Sequence, residues 1–267
     1  MKRIISILAI SMLLASCTTT YHFQVLETAS DNPKIKTDEK QTEYEDENCI
    51  IIYDMWEKNG KAGFYFYNKT DQIITIDLEK SFFVRNGEAF DYYRQEILNT
   101  GSSVSLTRGG ATYWGYGIST ANSKQVANST QLTVFAPTTI VIPPKCYKEI
   151  SKFEIKDEII RTCDLNINPA KKSVPVHFDK ENSPFKFSNI ITYSVGDAKP
   201  ITISNDFYVH TIFNVISWEF YRYETKRNCD FRGEPNVSVK YFFMNPRNGF
   251  YIKYVASEYR DETPENM

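Results

Sequence analysis

The chain has 267 residues, 42% hydrophobic and 24% charged, with a formal net charge of −2. That length suits one large β domain or two small ones. A near-neutral balance lacks the basic stripe that nucleic-acid binding needs, so no nucleic-acid partner is expected. Aromatic residues make up 15%, with 18 Tyr and 18 Phe, and such residues favour pleated, half-buried surfaces.

Residues 1–16 read as an export signal. Lys2 and Arg3 give a basic start, and Ile4 to Leu14 form an apolar run too short for a comfortable membrane span. Ala15 and Ser16 are small enough for a signal-peptidase cleft. Leu14-Ala15-Ser16-Cys17 resembles the lipobox of bacterial lipoproteins. The resemblance implies cleavage before Cys17 and lipid, palmitate included, on that cysteine. Thr18 is not the aspartate that retains such proteins at the inner membrane, so the same resemblance implies the outer membrane, with the leaflet open. No later apolar run has the length of a membrane span, which leaves lipid on Cys17 as the expected anchor.

Residues 17–48 read as anchor and flexible tether, because Asp31-Asn32-Pro33 and the charged run from Lys34 to Glu47 offer little to bury. The folded part is expected from Cys49. Cys49 to Trp56 and Ala62 to Asn68 are β-type runs around Asn59-Gly60, a pair that allows the positive φ of a tight hairpin. Ile73 to Leu78 alternates as a strand with one buried face should. Asn86-Gly87 separates Phe82-Phe83-Val84 from Ala89 to Tyr93, a second hairpin signal.

Asn99 to Gln131 breaks this pattern. It is one long Gly/Ser/Thr-rich loop with no acidic residue, and loops of that length are usually functional or disordered. Tyr113, Trp114 and Tyr116 stand inside it among glycines, and they are the candidates for partner contact, or alternatively an anchor packed under the sandwich.

Strands resume at Leu132 to Ile142 and Cys146 to Ile155, and Glu154 to Arg161 has the pattern of a short helical turn. Asn168 to Asn182 reads as a connector. Phe185 to Val195 and Ile201 to Phe213 suggest a hairpin through Gly196-Asp197, and Val237 to Met244 with Phe250 to Ala256 suggest a terminal one. The expectation is an all-β, antiparallel, Ig-like β-sandwich over 49–257 with a frayed tail at 258–267. Two sandwiches meeting near 165–185 are the alternative.

Five segments, Gly63-Phe-Tyr-Phe-Tyr-Asn68-Lys-Thr, Lys80-Ser-Phe-Phe-Val-Arg-Asn-Gly-Glu88, Ile142-Pro-Pro-Lys145, Ser183-Pro-Phe-Lys-Phe-Ser-Asn189 and Phe207-Tyr-Val209, together resemble uncharacterised exported lipoproteins of the Bacteroidetes. That resemblance spans roughly 40–255 and implies an envelope location without a known activity.

Chemistry-bearing motifs are sparse. Cys49, Cys146, Cys163 and Cys229 lack zinc-type spacing, and export permits disulfides. Cys163 and Cys229 both lie in polar, turn-like surroundings and form the favoured pair, while Cys49 and Cys146 adjoin apolar runs where a thiol packs as a small hydrophobe. His22 falls in the tether and His177 in the connector. His210 alternates within a strand as a residue facing solvent or a sheet edge. No zinc-protease, nucleophile-elbow, phosphate-loop or dinucleotide motif occurs, so no catalytic residue, metal or cofactor is expected. Asp157-Glu158 and Asp230 with Glu234 read as solvated acids. Two functions stand: a non-catalytic envelope module that binds a partner or aids assembly, or a glycan-binding or glycan-active sandwich. Facing carboxylates beside exposed aromatics on a concave face would mark the second.

Overall fold

In the computed structural model, residues 19–38, 41–93, 137–151, 153–227 and 236–259 are described. They form an all-β antiparallel sandwich. The larger sheet runs in the order β15 (Gly249–Val255), β1 (Tyr21–Ala29), β12 (Ile201–Ile216), β11 (Lys186–Val195), β6 (Ile74–Arg85), β7 (Glu88–Asp91). Two short strands add to it, β10 (Val176–His177) on β12 and β8 (Thr139–Ile142) on β6. The smaller sheet is β2 (Ile35–Thr37), β3 (Thr42–Glu45), β4 (Cys49–Tyr53), β5 (Phe64–Asn68), β9 (Tyr147–Ile150). A separate hairpin pairs β13 (Tyr221–Arg227) with β14 (Asn236–Phe242).

Period-two patterning explains the smaller sheet. Cys49, Ile51 and Tyr53 point inward from β4, as do Phe64, Phe66 and Asn68 from β5. They meet Ile76, Phe83, Ile191, Val209 and Phe250 of the larger sheet in the main core. Asn86 and Gly87 take φ of 46° and 87° and close β6 onto β7 as a two-residue turn. β11 and β12 form the expected hairpin through Gly196. Asn59 and Gly60 do have positive φ, but the connection from β4 to β5 is longer than a tight hairpin. It reaches across to β15, where Asn59 N donates to Tyr251 O, and a Cβ on Gly60 would strike Phe250 and Ile155.

The tether expectation is corrected. Tyr21–Ala29 is an interior strand flanked by β12 and β15, and residues 35–45 supply β2 and β3. Both faces of β1 are covered. Phe23 and Val25 join a second apolar cluster with Phe213, Val215 and Phe220, while Leu26 enters the main core. Burying these three side chains of β1 is worth about 1.5–3 kcal/mol each, which outweighs the polar residues between them. Among the described residues the sandwich therefore already includes a strand from Tyr21, ahead of the expected start at Cys49.

Two further expectations change. Residues 154–161 form no helix, because Ile155, Ile159 and Ile160 are buried in extended, irregular chain bonded to other segments. The last two strands do not pair with each other: β14 pairs β13, and β15 pairs β1, where its inward Phe250, Ile252 and Tyr254 are buried. The described helical content is one turn, α1 (Ser217–Phe220), and a 3-10 turn at Ala256–Tyr259. Residues 260–267 of the expected tail lie outside the described residues.

Candidate functional site

At one end of the larger sheet the start of β1, the end of β12 and the end of β15 come level. His22 pairs across to Ile216 on one side and to Tyr254 on the other. An open groove of about 560 Å³ lies there, lined by Thr19, Thr20, His22, Ile216, Trp218 and the Asn168–Ala170 segment, with Val255 to Ser257 closing its far side.

The single turn α1 sets its character. Phe220 is fully buried and stacks on Phe23 at 4.2 Å between ring centroids. At 100° per residue, a side chain two positions earlier points to the opposite side of a helical turn. Trp218 is thus 61% exposed at the rim. Glu219 accepts a hydrogen bond from Lys172 N at 2.9 Å, tying the turn to the neighbouring connector.

That connector is held by side chains of the sheet. Gln24 donates to Ile160 O at 2.9 Å and accepts from Ile160 N at 2.6 Å. Its amide also donates to Oδ1 of Asn214, its cross-strand partner, at 3.2 Å. Asn214 donates to Asn166 O, and the Tyr254 hydroxyl donates to Ile167 O, both at 2.8 Å. Ser173 N donates to Asn214 O, and Asn214 N donates to Ser173 Oγ. Irregular backbone buried on a sheet needs such partners, and β1, β12 and β15 supply them as one polar row.

His22 ends this row. It is buried, and its Nε2 lies 3.3 Å from Pro169 O, a contact that suits a neutral ring protonated on Nε2. Burial lowers its pKa, partly opposed by the Pro169 contact. Its Nδ1 has no partner among the described residues. A base in a nucleophile–base pair needs an orienting third group, and the described lining of the groove contains no Asp or Glu.

Several other interior polar groups are committed to structure. Asp46 accepts from the backbone N–H of Asn48 and Cys49, each at 2.8 Å, and from the Tyr44 and Tyr193 hydroxyls at 3.1 and 3.2 Å. Burial works to raise its pKa, yet these donors hold the carboxyl below its usual value. Burial and the Asp46 charge push the Cys49 thiol and the Tyr44 phenol well up, which makes both poor nucleophiles or bases. Between the sheets, Asn205 donates to the Tyr53 hydroxyl at 2.6 Å, and the Tyr92 hydroxyl donates to Asn189 Oδ1 at 2.5 Å.

Of the residues singled out from sequence, Cys17, Tyr113, Trp114, Tyr116 and Cys229 lie outside the described residues. Cys163 is an exposed free thiol, and the two ends of its favoured pairing are not both described. Cys49 is buried as a small hydrophobe should be, whereas Cys146 is exposed. His22 is in the core sheet, not a tether. His177 and His210 sit 5.8 Å apart on the surface, both with Nδ1 within hydrogen-bond distance of Thr211 Oγ1. No group of three or more His, Cys, Asp or Glu suited to a metal occurs among the described residues.

The stems of the segment that carries Tyr113, Trp114 and Tyr116 are described. Both meet at a bulge in β6: Leu78 N donates to Thr138 O and Tyr93 N to Leu78 O. Asp77 Oδ1 accepts from Glu79 N and Lys80 N, and Ser81 Oγ donates to Asp77 O, which shapes the bulge. Asp77 is level with Thr192 and, beyond it, Thr202 at the start of β12. The groove is at Ile216, the other end of β12 and roughly 45 Å of strand away at about 3.3 Å per residue.

Comparison with protein-family models, curated proteins and solved structures finds no match. Trp218 and the groove were not apparent from sequence. Their signal is weak, a tryptophan just past the end of a long apolar strand and a run Tyr21-His-Phe-Gln-Val-Leu26 alternating ahead of a charged stretch.

Proposed function

We propose that this chain is a lipid-anchored cell-envelope protein, held at the outer membrane through lipid on Cys17, that works as a non-catalytic binding or assembly module. The N-terminal Lys2 to Cys17 series and its resemblance to exported lipoproteins of the Bacteroidetes support the location. One structural observation supports the binding role. β1 follows Cys17 within four residues at one end of the larger sheet, whereas the stems of the segment that carries Tyr113, Trp114 and Tyr116 leave near the other end of β12. In a domain anchored at Cys17, these stems lie far along β12 from the strand end that follows the lipid. The interior phenols and the Cys49 thiol are consumed in structural hydrogen bonds, in keeping with a scaffold.

The test is site-specific photocrosslinking in intact envelopes. Probes at Tyr113, Trp114 and Tyr116 should capture one discrete envelope partner, and replacing all three by Ser should abolish capture without lowering the melting temperature. A clear loss of stability without a partner effect would make them packing residues and remove this reading. Cys17→Ala should leave unprocessed or soluble protein; a fully membrane-bound mutant of unchanged mass would contradict the anchor.

A further inference from the structure

Resting on the lipid anchor at Cys17 proposed above, we infer that the groove end of the larger sheet is a membrane-docking face, with Trp218 and Tyr21 seated in the headgroup layer of the bilayer that holds the lipid. The chain length ahead of the sheet forces the placement. Consecutive Cα atoms are about 3.8 Å apart, so Cys17 lies within about 8 Å of Thr19, which itself lines the groove. With β1 starting at Tyr21 and no spacer between, lipid on Cys17 brings this end of the sandwich against the bilayer surface.

The residues at that end suit the interface. Trp218 is 61% exposed and Tyr21 38%, whereas most aromatic side chains among the described residues are buried or half-buried. Tryptophan and tyrosine concentrate at headgroup depth because an apolar ring and a polar N–H or O–H are satisfied there together. The Lys253 ammonium lies over the Tyr21 ring at 3.4 Å and that of Lys172 over Phe213 at 3.8 Å, so both cations at this end are held against rings. Glu219 and Glu258 stand at the same end and offset these cations. Docking therefore rests on ring insertion rather than on net charge. It should persist in zwitterionic vesicles and survive added salt, unlike binding by a polybasic patch.

The experiment uses the full chain, purified with its lipid and reconstituted into phosphatidylcholine vesicles containing brominated phosphatidylcholine, which quenches nearby indoles. Mass spectrometry of the N-terminal peptide is read first. Wild-type emission should be quenched, Trp218→Phe should remove most of that quenching, and Trp114→Phe should not. An exposed Trp-to-Phe change leaves the fold intact, which the melting temperature checks. Lipidated protein whose quenching is unchanged by Trp218→Phe would overturn the docking face and leave the anchor standing. A Cys17 without lipid would overturn both. A Trp218 response to soluble peptidoglycan fragments, with no quenching by bromolipid, would assign the groove to glycan and overturn the inference.

Discussion

The two faces of β1 perform the same task with opposite chemistry. On one face Phe23 and Val25 pack against Phe213, Val215 and Phe220, an apolar cluster sealed by the β13–β14 hairpin, Trp56 and Tyr251. On the other, His22 and Gln24 are equally buried, yet they meet the backbone of the 160–173 connector. The first contact needs only area and shape. The second needs donor and acceptor matched to specific peptide groups, because an unpaired buried polar group costs about 1–3 kcal/mol. A strand can be central to a sheet while half of its side chains are polar, provided each one has its partner.

Substitutions on the two faces separate these contributions. Phe23→Ala should have the largest effect, destabilising by about 3–5 kcal/mol in denaturant unfolding, since it empties a stacked site beside Phe220. Gln24→Leu keeps the volume but strands Ile160 N and O, and should cost roughly 2–3 kcal/mol. It should also speed amide exchange through 160–173, an effect that Phe23→Ala should lack at matched stability. Equal exchange in the two variants would erase the distinction between the faces.

The pH response isolates His22. Burial lowers its folded pKa below the ordinary 6.5, so the unfolded chain takes up the proton first. Its contribution to stability is complete above pH 6.5 and is lost as pH falls through the lowered folded value. His22→Gln should flatten that part of the stability profile, and an unchanged slope would place the titration elsewhere. Trp218→Ser should be the mildest change, within about 0.5 kcal/mol of wild type, because its ring is mostly exposed.

The difference between these faces also explains what could be read in advance. β4 and β5 alternate cleanly, and Asn86-Gly87 carries its own turn chemistry, so both were legible from a few neighbouring residues. The alternation in β1 is short, with polar His22 and Gln24 between its apolar residues, and the charged stretch that follows made the average suggest a solvated tether. The groups that justify His22 and Gln24, Pro169 O, Ile160 and Asn214, stand more than 130 residues away in the chain. Val237 to Met244 and Phe250 to Ala256 looked like a hairpin because they are close in sequence, but the inward faces of β15 and β1 complete one core and separate them. The groove draws on four separate segments, and no local pattern announces it.

A folded domain that starts directly behind Cys17 is the claim on which membrane placement depends, and hydrogen exchange of the full chain tests it. The amides of Tyr21–Ala29 that bond to β12 and β15 should exchange among the slowest in the molecule, together with those of β12 itself. Exchange of Tyr21–Ala29 at the rate of unstructured peptide, with β12 still protected, would restore a flexible tether and contradict the placement.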